Sequence, residues 1–178
     1  MWRQDVMEIE QKFLINKIPD SLESFSCKDI VQGYLSFSPV VRIRKSNDRY
    51  ILTYKSKPKD KKDISGVCIN NELEAFLDEE SFNHLAKKCD GLLVYKKRYI
   101  IPLSSEETHV EGLKVEMDVF EGILKGLVFG EVEFPDESSV DKFIKPDWIG
   151  DNVSDDIRFK NNFLATITSR EKYLELFK

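Results

Sequence analysis

The chain has 178 residues and a formal net charge of −5 at pH 7, a balance that argues against non-specific nucleic-acid binding, which needs a basic surface. Charged residues make up 33% of the sequence, against roughly 25% in an average domain, so the excess needs a location. Cys27, Cys68 and Cys89 show no paired spacing, and no apolar run is long enough for a leader or a membrane span, so the expectation is a cytoplasmic protein with reduced thiols.

In chain order, alternation of apolar and charged residues predicts strands over 7–15, 31–37, 40–46, 49–57, 66–76, 92–101, 114–120 and 127–134, with a short one over 107–111. Ser46-Asn47-Asp48 and Pro58-Lys59-Asp60 supply turn chemistry between strands. The lysine-rich stretch 55–62 reads as a mobile loop. Residues 78–89 read as a helix capped by Asp78, with Phe82, Leu85, Ala86 and Cys89 in one stripe. A short helix over 137–144 stops before Pro146, and the tail from Asn161 onward is expected to be helical and to pack through Ile167, Tyr173, Leu174 and Phe177. No repeat or linker divides the chain, so a single domain over 1–178 is expected.

Side chains alternate between the two faces of a strand. One face collects Glu8, Glu10, Lys12, Arg42, Arg44, Lys55, Glu72, Glu74, Lys96, Arg98, Glu116, Asp118, Glu131 and Glu133. The other collects Ile9, Phe13, Val41, Ile43, Tyr50, Leu52, Leu73, Val115, Met117, Val119, Val132 and Phe134. The charged face is either the wet side of an antiparallel sheet or the lumen of a closed barrel. Tight like-charged pairs such as Arg42/Arg44 and Glu131/Glu133 favour a lumen, because such pairs repel unless a ligand compensates them. Arginine forks match phosphate oxygens, and carboxylates suit Mg²⁺ or Mn²⁺ bound together with phosphates. No glycine-rich phosphate loop and no Ser/His/Asp or Cys/His arrangement is present, and His84 and His109 read as structural or solvated.

The ordered set Glu8-Ile9-Glu10-Gln11-Lys12, Gln32-Gly33-Tyr34, Arg42-Ile43-Arg44, Lys55, Glu72-Leu73-Glu74, Lys96-Lys97-Arg98, Glu116-Met117-Asp118, Glu131-Val132-Glu133 and Arg158-Phe159-Lys160-Asn161 resembles the CYTH superfamily, the triphosphate tunnel metalloenzymes. The resemblance implies a mainly β (α+β) fold, an eight-stranded antiparallel closed β-barrel with flanking helices. It implies metal-dependent hydrolysis of inorganic triphosphate. Organic triphosphate hydrolysis, class IV adenylyl cyclase activity and a non-catalytic phosphate-binding module remain as alternatives. It also implies roles: Lys12 and Tyr34 as the water-activating pair, Arg42, Arg44, Lys55, Lys96, Arg98, Arg158 and Lys160 on the phosphates, and Glu8, Glu10, Glu116, Asp118, Glu131 and Glu133 on Mg²⁺ or Mn²⁺. Glu72 and Glu74 line the tunnel, and the segment from Arg158 leads to a helix that plugs or gates one mouth. The implied partner is a small-molecule triphosphate, with no nucleic acid or membrane and a homodimer as an option. One departure stands out, because relatives often carry an arginine where this chain has Asn70. A lysine base starts near pKa 10.4 and would have to fall by about three units, and the sequence leaves open whether arginines or carboxylates dominate around Lys12.

Overall fold

The computed structural model describes residues 3–58 and 64–177. Its strands are β1 (Arg3–Ile15), β2 (Ser26–Phe37), β3 (Val40–Ser46), β4 (Arg49–Ser56), β5 (Cys68–Leu77), β6 (Asp90–Pro102), β7 (Lys114–Phe120), β8 (Val128–Glu133) and β9 (Ile149–Asn152). They hydrogen-bond in the order β5-β4-β3-β2-β6-β7-β8-β1, all antiparallel. β1 pairs back onto β5, which closes eight strands into a barrel and leaves β9 as an appendage on β1. Thirteen residues let β1 serve three partners: Met7–Glu10 face β5, Glu10–Leu14 face β8, and Phe13 and Ile15 meet β9. Closure removes the unpaired edges that an open sheet would expose. No helix among the described residues is long and apolar enough to cross a membrane.

Two apolar clusters hold the barrel. Outside it, Ile9, Phe13, Val115, Met117, Val132 and Phe134 are buried beneath Val110, Leu113 and Ile149. Val140 of helix α3 (Glu137–Lys142), followed by Phe143 and Trp148, packs on the same cluster. The second cluster lies inside one end of the barrel, where Tyr34, Val94, Phe120 and Phe129 meet Phe159, Leu164, Ile167 and Tyr173 from the C-terminal segment. Phe120 and Phe129 stand two residues from Asp118 and Glu131 on the same face, so the lumen is not charged throughout.

Local differences from the sequence reading have physical causes. Residues 107–111 are not a strand. Ser104 caps a one-turn helix, α2 (Ser105–Thr108), whose first turn carries Glu106 and Glu107, and His109 ends it in the left-handed region at φ 62°. Helix α1 (Glu79–Ala86) is capped by Asp78 as expected but stops short of Cys89, and only Phe82 of its stripe is buried, against Tyr50 at 5.4 Å between ring centroids. The tail forms two short helices, α4 (Asn161–Leu164) and α5 (Arg170–Leu176), rather than one. Of the lysine-rich stretch, residues 59–63 lie outside the described residues.

Candidate active site

Strand order sorts the lumen charges by sign. Going round the barrel, β1, β8 and β7 are neighbours and bring Glu8, Glu10, Glu131, Glu133 and Glu116 together as an acidic wall. Across the lumen, β3 and β4 present Arg42, Arg44 and Lys55, and β5 next to them adds Glu72 and Glu74. All these residues, with Lys12, Tyr34, Arg98 and Lys160, line one cavity of about 760 Å³. Asn70 and Lys57 line it too.

The basic wall is short of counter-ions. Arg42 is buried and donates to Thr53 Oγ1 at 3.0 Å, and Arg44 donates to Gln32 Oε1 at 3.4 Å. Neither guanidinium makes an ion pair among the described residues, and the buried Nε of each has no hydrogen-bond partner. Burial, with Arg42 and Arg98 nearby, pushes Arg44 down to about 10. Lys55 differs, because its ammonium bridges Glu8 at 2.7 Å and Glu72.

The acidic wall is short of cations. The register sets Glu10 opposite Glu133 and Glu131 opposite Glu116, and like charges placed so are destabilising unless compensated. Burial and Glu131 push Glu10 up to about 7, and burial also raises Glu8 and Glu133. Glu131 is well supplied: Lys12 at 2.8 Å and Arg98 at 2.5 Å outweigh its burial and hold it well below the usual carboxylate range. In this arrangement no three acidic, histidine or cysteine side chains converge as a ready ligand set among the described residues, since Lys55, Lys12 and Arg98 draw Glu8, Glu131 and Glu116 to themselves. The donor chemistry nevertheless fits a hard divalent cation, with oxygen ligands only and negative charge left uncompensated at Glu10 and Glu133.

Lys12 projects from β1 over the Phe129 ring, 5.1 Å from its centroid, and donates to the Phe159 carbonyl at 3.3 Å. Burial pulls its pKa down, but Glu131 and Glu10 outweigh burial and hold it above lysine's ordinary value. The balance left open by the sequence therefore falls to the carboxylates. Tyr34 is buried on β2, with its hydroxyl accepting from Gln32 Nε2 at 3.0 Å, and burial raises its pKa despite Arg42 and Arg44.

Three of the expected site residues are not on the cavity wall. Lys96 and Asp118 are fully buried behind it, 2.5 Å apart, and burial draws Lys96 down to about 7 despite its partner. Arg98 forks the same Asp118 through Nε and Nη2, each at 2.6 Å, and reaches Glu116 and Glu131 as well, so its donors are spent on carboxylates. Arg158 lies at the surface, forked to Asp156 and bonded to the Leu176 carbonyl. Gln32, Thr53 and Asn161 carry no assigned role in the sequence reading, although Gln32 and Asn161 stand in its motifs and parity alone puts Gln32 with Tyr34 and Thr53 with Lys55. Asn161 has no strand parity to place it, because it comes from outside the barrel strands, and only its motif with Arg158 and Lys160 marked it.

Fold and site together define a closed antiparallel barrel whose lumen opposes cationic and anionic walls. The chain belongs to the CYTH domain family, which it matches over residues 7–158. It is 35% identical to the inorganic triphosphatase of Nitrosomonas europaea over 161 residues, 89% of this chain and 96% of that one. It is also 35% identical to the inorganic triphosphatase of Acetivibrio thermocellus over 162 residues, 89% of this chain and 92% of that one. A crystal structure of an inorganic triphosphatase superposes with a TM-score of 0.64 at 33% identity, covering 92% of this chain and 97% of the other. Triphosphatases of this family are typically metal-dependent.

Proposed function

We propose that this protein, acting as one unit over its 178 residues, hydrolyses inorganic triphosphate to pyrophosphate and phosphate with a divalent metal, Mg²⁺ or Mn²⁺. The observation that carries the reading is the pair of guanidiniums, buried Arg42 and half-buried Arg44, which lack ion-pair partners among the described residues and face an undercompensated acidic wall in the same cavity. A phosphate chain that brings its own dication satisfies both walls at once. The activity of the 35%-identical relatives points the same way.

Arg42, Arg44 and Lys55 would bind the phosphates, with Lys160 and Arg98 on the same cavity wall and Lys96 adding positive potential from behind. Arg158 is not part of this set, given its place outside the tunnel. Glu8, Glu10, Glu131 and Glu133 would hold the metal, with Glu116 as a further ligand, while Asp118, buried behind the wall on Lys96 and Arg98, is not part of this set. Bound there, the metal would neutralise phosphate charge and help orient the attacking water. Water attacks the terminal phosphorus in line, the bridging P–O bond breaks, and pyrophosphate leaves. Lys12 and Tyr34 would manage the water's proton. As the ammonium that Glu131 holds, Lys12 can only donate, to the phosphate or to the water oxygen; it would take the water's proton only as the neutral amine, after giving up a proton of its own.

Phosphate release from tripolyphosphate, ATP and thiamine triphosphate, each with Mg²⁺ or Mn²⁺ and each with an EDTA control, tests the reading. Metal-dependent release from tripolyphosphate, with little from the esters, is expected. Preference for an ester moves the substrate assignment. No release from any of the three overturns hydrolysis and leaves the cyclase and binding-module readings.

A further inference from the structure

The segment after Phe159 does more than cover the barrel end. Two of its groups reach the inner ion network: the Phe159 carbonyl accepts from Lys12 Nζ at 3.3 Å, and the Asn161 side chain lies between Lys96 and Glu131. Asn161 Oδ1 accepts from Lys96 Nζ at 3.2 Å, while Nδ2 donates to Glu131 Oε1 at 3.4 Å. This orientation of the amide is fixed by chemistry, since an ammonium can only donate and a carboxylate can only accept. A carboxylate at position 161 would repel Glu131, an ammonium would repel Lys96, and an aliphatic chain would serve neither. The backbone holds the amide in place: Ala165 N bonds to Asn161 O at 3.3 Å, and the Ala165 carbonyl accepts from Leu92 N at 2.8 Å. That last contact is possible only because residue 91 is glycine, at φ +72°, where an added Cβ would stand 2.3 Å from the Ala165 oxygen.

We propose that Asn161 is a positioning residue for the reaction, an amide bridge by which the C-terminal segment sets the direction of Glu131 and, through it, of Lys12. Glu131 has two oxygens and three partners: Oε2 takes Arg98, while Oε1 takes both Lys12 and Asn161. Without Asn161, Oε1 is held by Lys12 alone, and Lys96 keeps Asp118 as its only side-chain hydrogen-bond partner among the described residues. Asn161 lines the cavity but is assigned no contact with the reacting atoms, so it acts through Glu131. The inference rests on the triphosphatase reading for its kinetic part, and on the carboxylate wall alone for its metal-binding part.

The test compares the full-length wild type with Asn161→Leu, Asn161→Ala and Asn161→Gln, measuring Mn²⁺ affinity without substrate, kcat and KM for tripolyphosphate, and Tm. Losing an outer partner of a metal-ligating group typically costs about 10- to 100-fold, so the Leu and Ala variants should lose that much in kcat or Mn²⁺ affinity. KM should stay within about threefold, because an interaction outside the phosphate contacts adds no uniform binding. Gln, which keeps a donor and an acceptor, should recover a large part of the loss. Wild-type kcat and Mn²⁺ affinity in both the Leu and Ala variants overturns the proposal. So does a loss that merely follows a large fall in Tm, or a Gln variant no better than Leu. If the wild type releases no phosphate, the triphosphatase reading falls separately, and the Mn²⁺ titration alone decides on Asn161.

Discussion

A guanidinium buried without a carboxylate opposes folding, and Arg44 is such a group. Its charged form is disfavoured by burial, Arg42 and Arg98, and its Nε has no partner. Replacing it with methionine should therefore leave Tm unchanged or raise it, while turnover of tripolyphosphate falls about 10²-fold or more through loss of a charge-stabilising donor. A Tm that drops with activity would mean that Arg44 braces the barrel rather than serving an anion. Charged positions at this scale were legible, because Glu8, Glu10, Arg42, Arg44 and Lys55 follow from period-two alternation alone. Which of them are satisfied was not. Nothing in the sequence says that Lys55 bridges Glu8 and Glu72 while Arg44 meets no acid, because that depends on which strands the closure makes neighbours.

Elements were legible where local chemistry decides them. Asp78 and Asp136 each accept from a backbone N–H three residues on, Ser81 N at 2.7 Å and Ser139 N at 2.8 Å, as helix N-caps do. β9 was missed because four residues after Pro146 and Trp148 show no alternation, and it pairs only because the end of β1 is left open by β5. Cap chemistry also gives a pH dependence. The hydroxyl of Ser138 and the N–H and hydroxyl of Ser139 hold Asp136 below its ordinary carboxyl value near 3.8. A carboxyl depressed on folding contributes stability that is complete above the unfolded pKa and is lost as pH falls through the folded one. Asp136→Ala should therefore lower Tm at pH 7, and the gap from the wild type should narrow as pH falls below about 4. A gap that stays constant from pH 7 to pH 3 would show that the cap charge is not what matters.

At the scale of the molecule, the C-terminal segment changes from an optional gate into part of the core. Phe159, Leu164, Ile167 and Tyr173 are all buried in the cluster that fills one barrel end, against Tyr34, Phe120 and Phe129. The same aromatic floor carries the ammoniums of Lys12 and Lys96, 5.1 and 5.4 Å from the Phe129 and Phe120 centroids, so the tail seals the dry side of the ion network. Packing of the tail through Ile167 and Tyr173 and a plug at one mouth were legible, but its meeting with the ammoniums of Lys12 and Lys96 was not, since that needs the closed barrel and contacts such as Lys12 N to Ser154 Oγ across 142 residues. Burying such side chains is worth about 1.5–3 kcal/mol each, so four together match the whole stability of an ordinary domain, about 5–15 kcal/mol. Truncation after Val153 should therefore give a protein that aggregates or melts without a cooperative transition, and should not leave an open but active tunnel. Soluble truncated protein with a sharp melt and wild-type kcat would show that the barrel stands without its plug. In that case the segment would be a lid laid over a finished site, and the route from Asn161 to Glu131 would carry no catalytic weight.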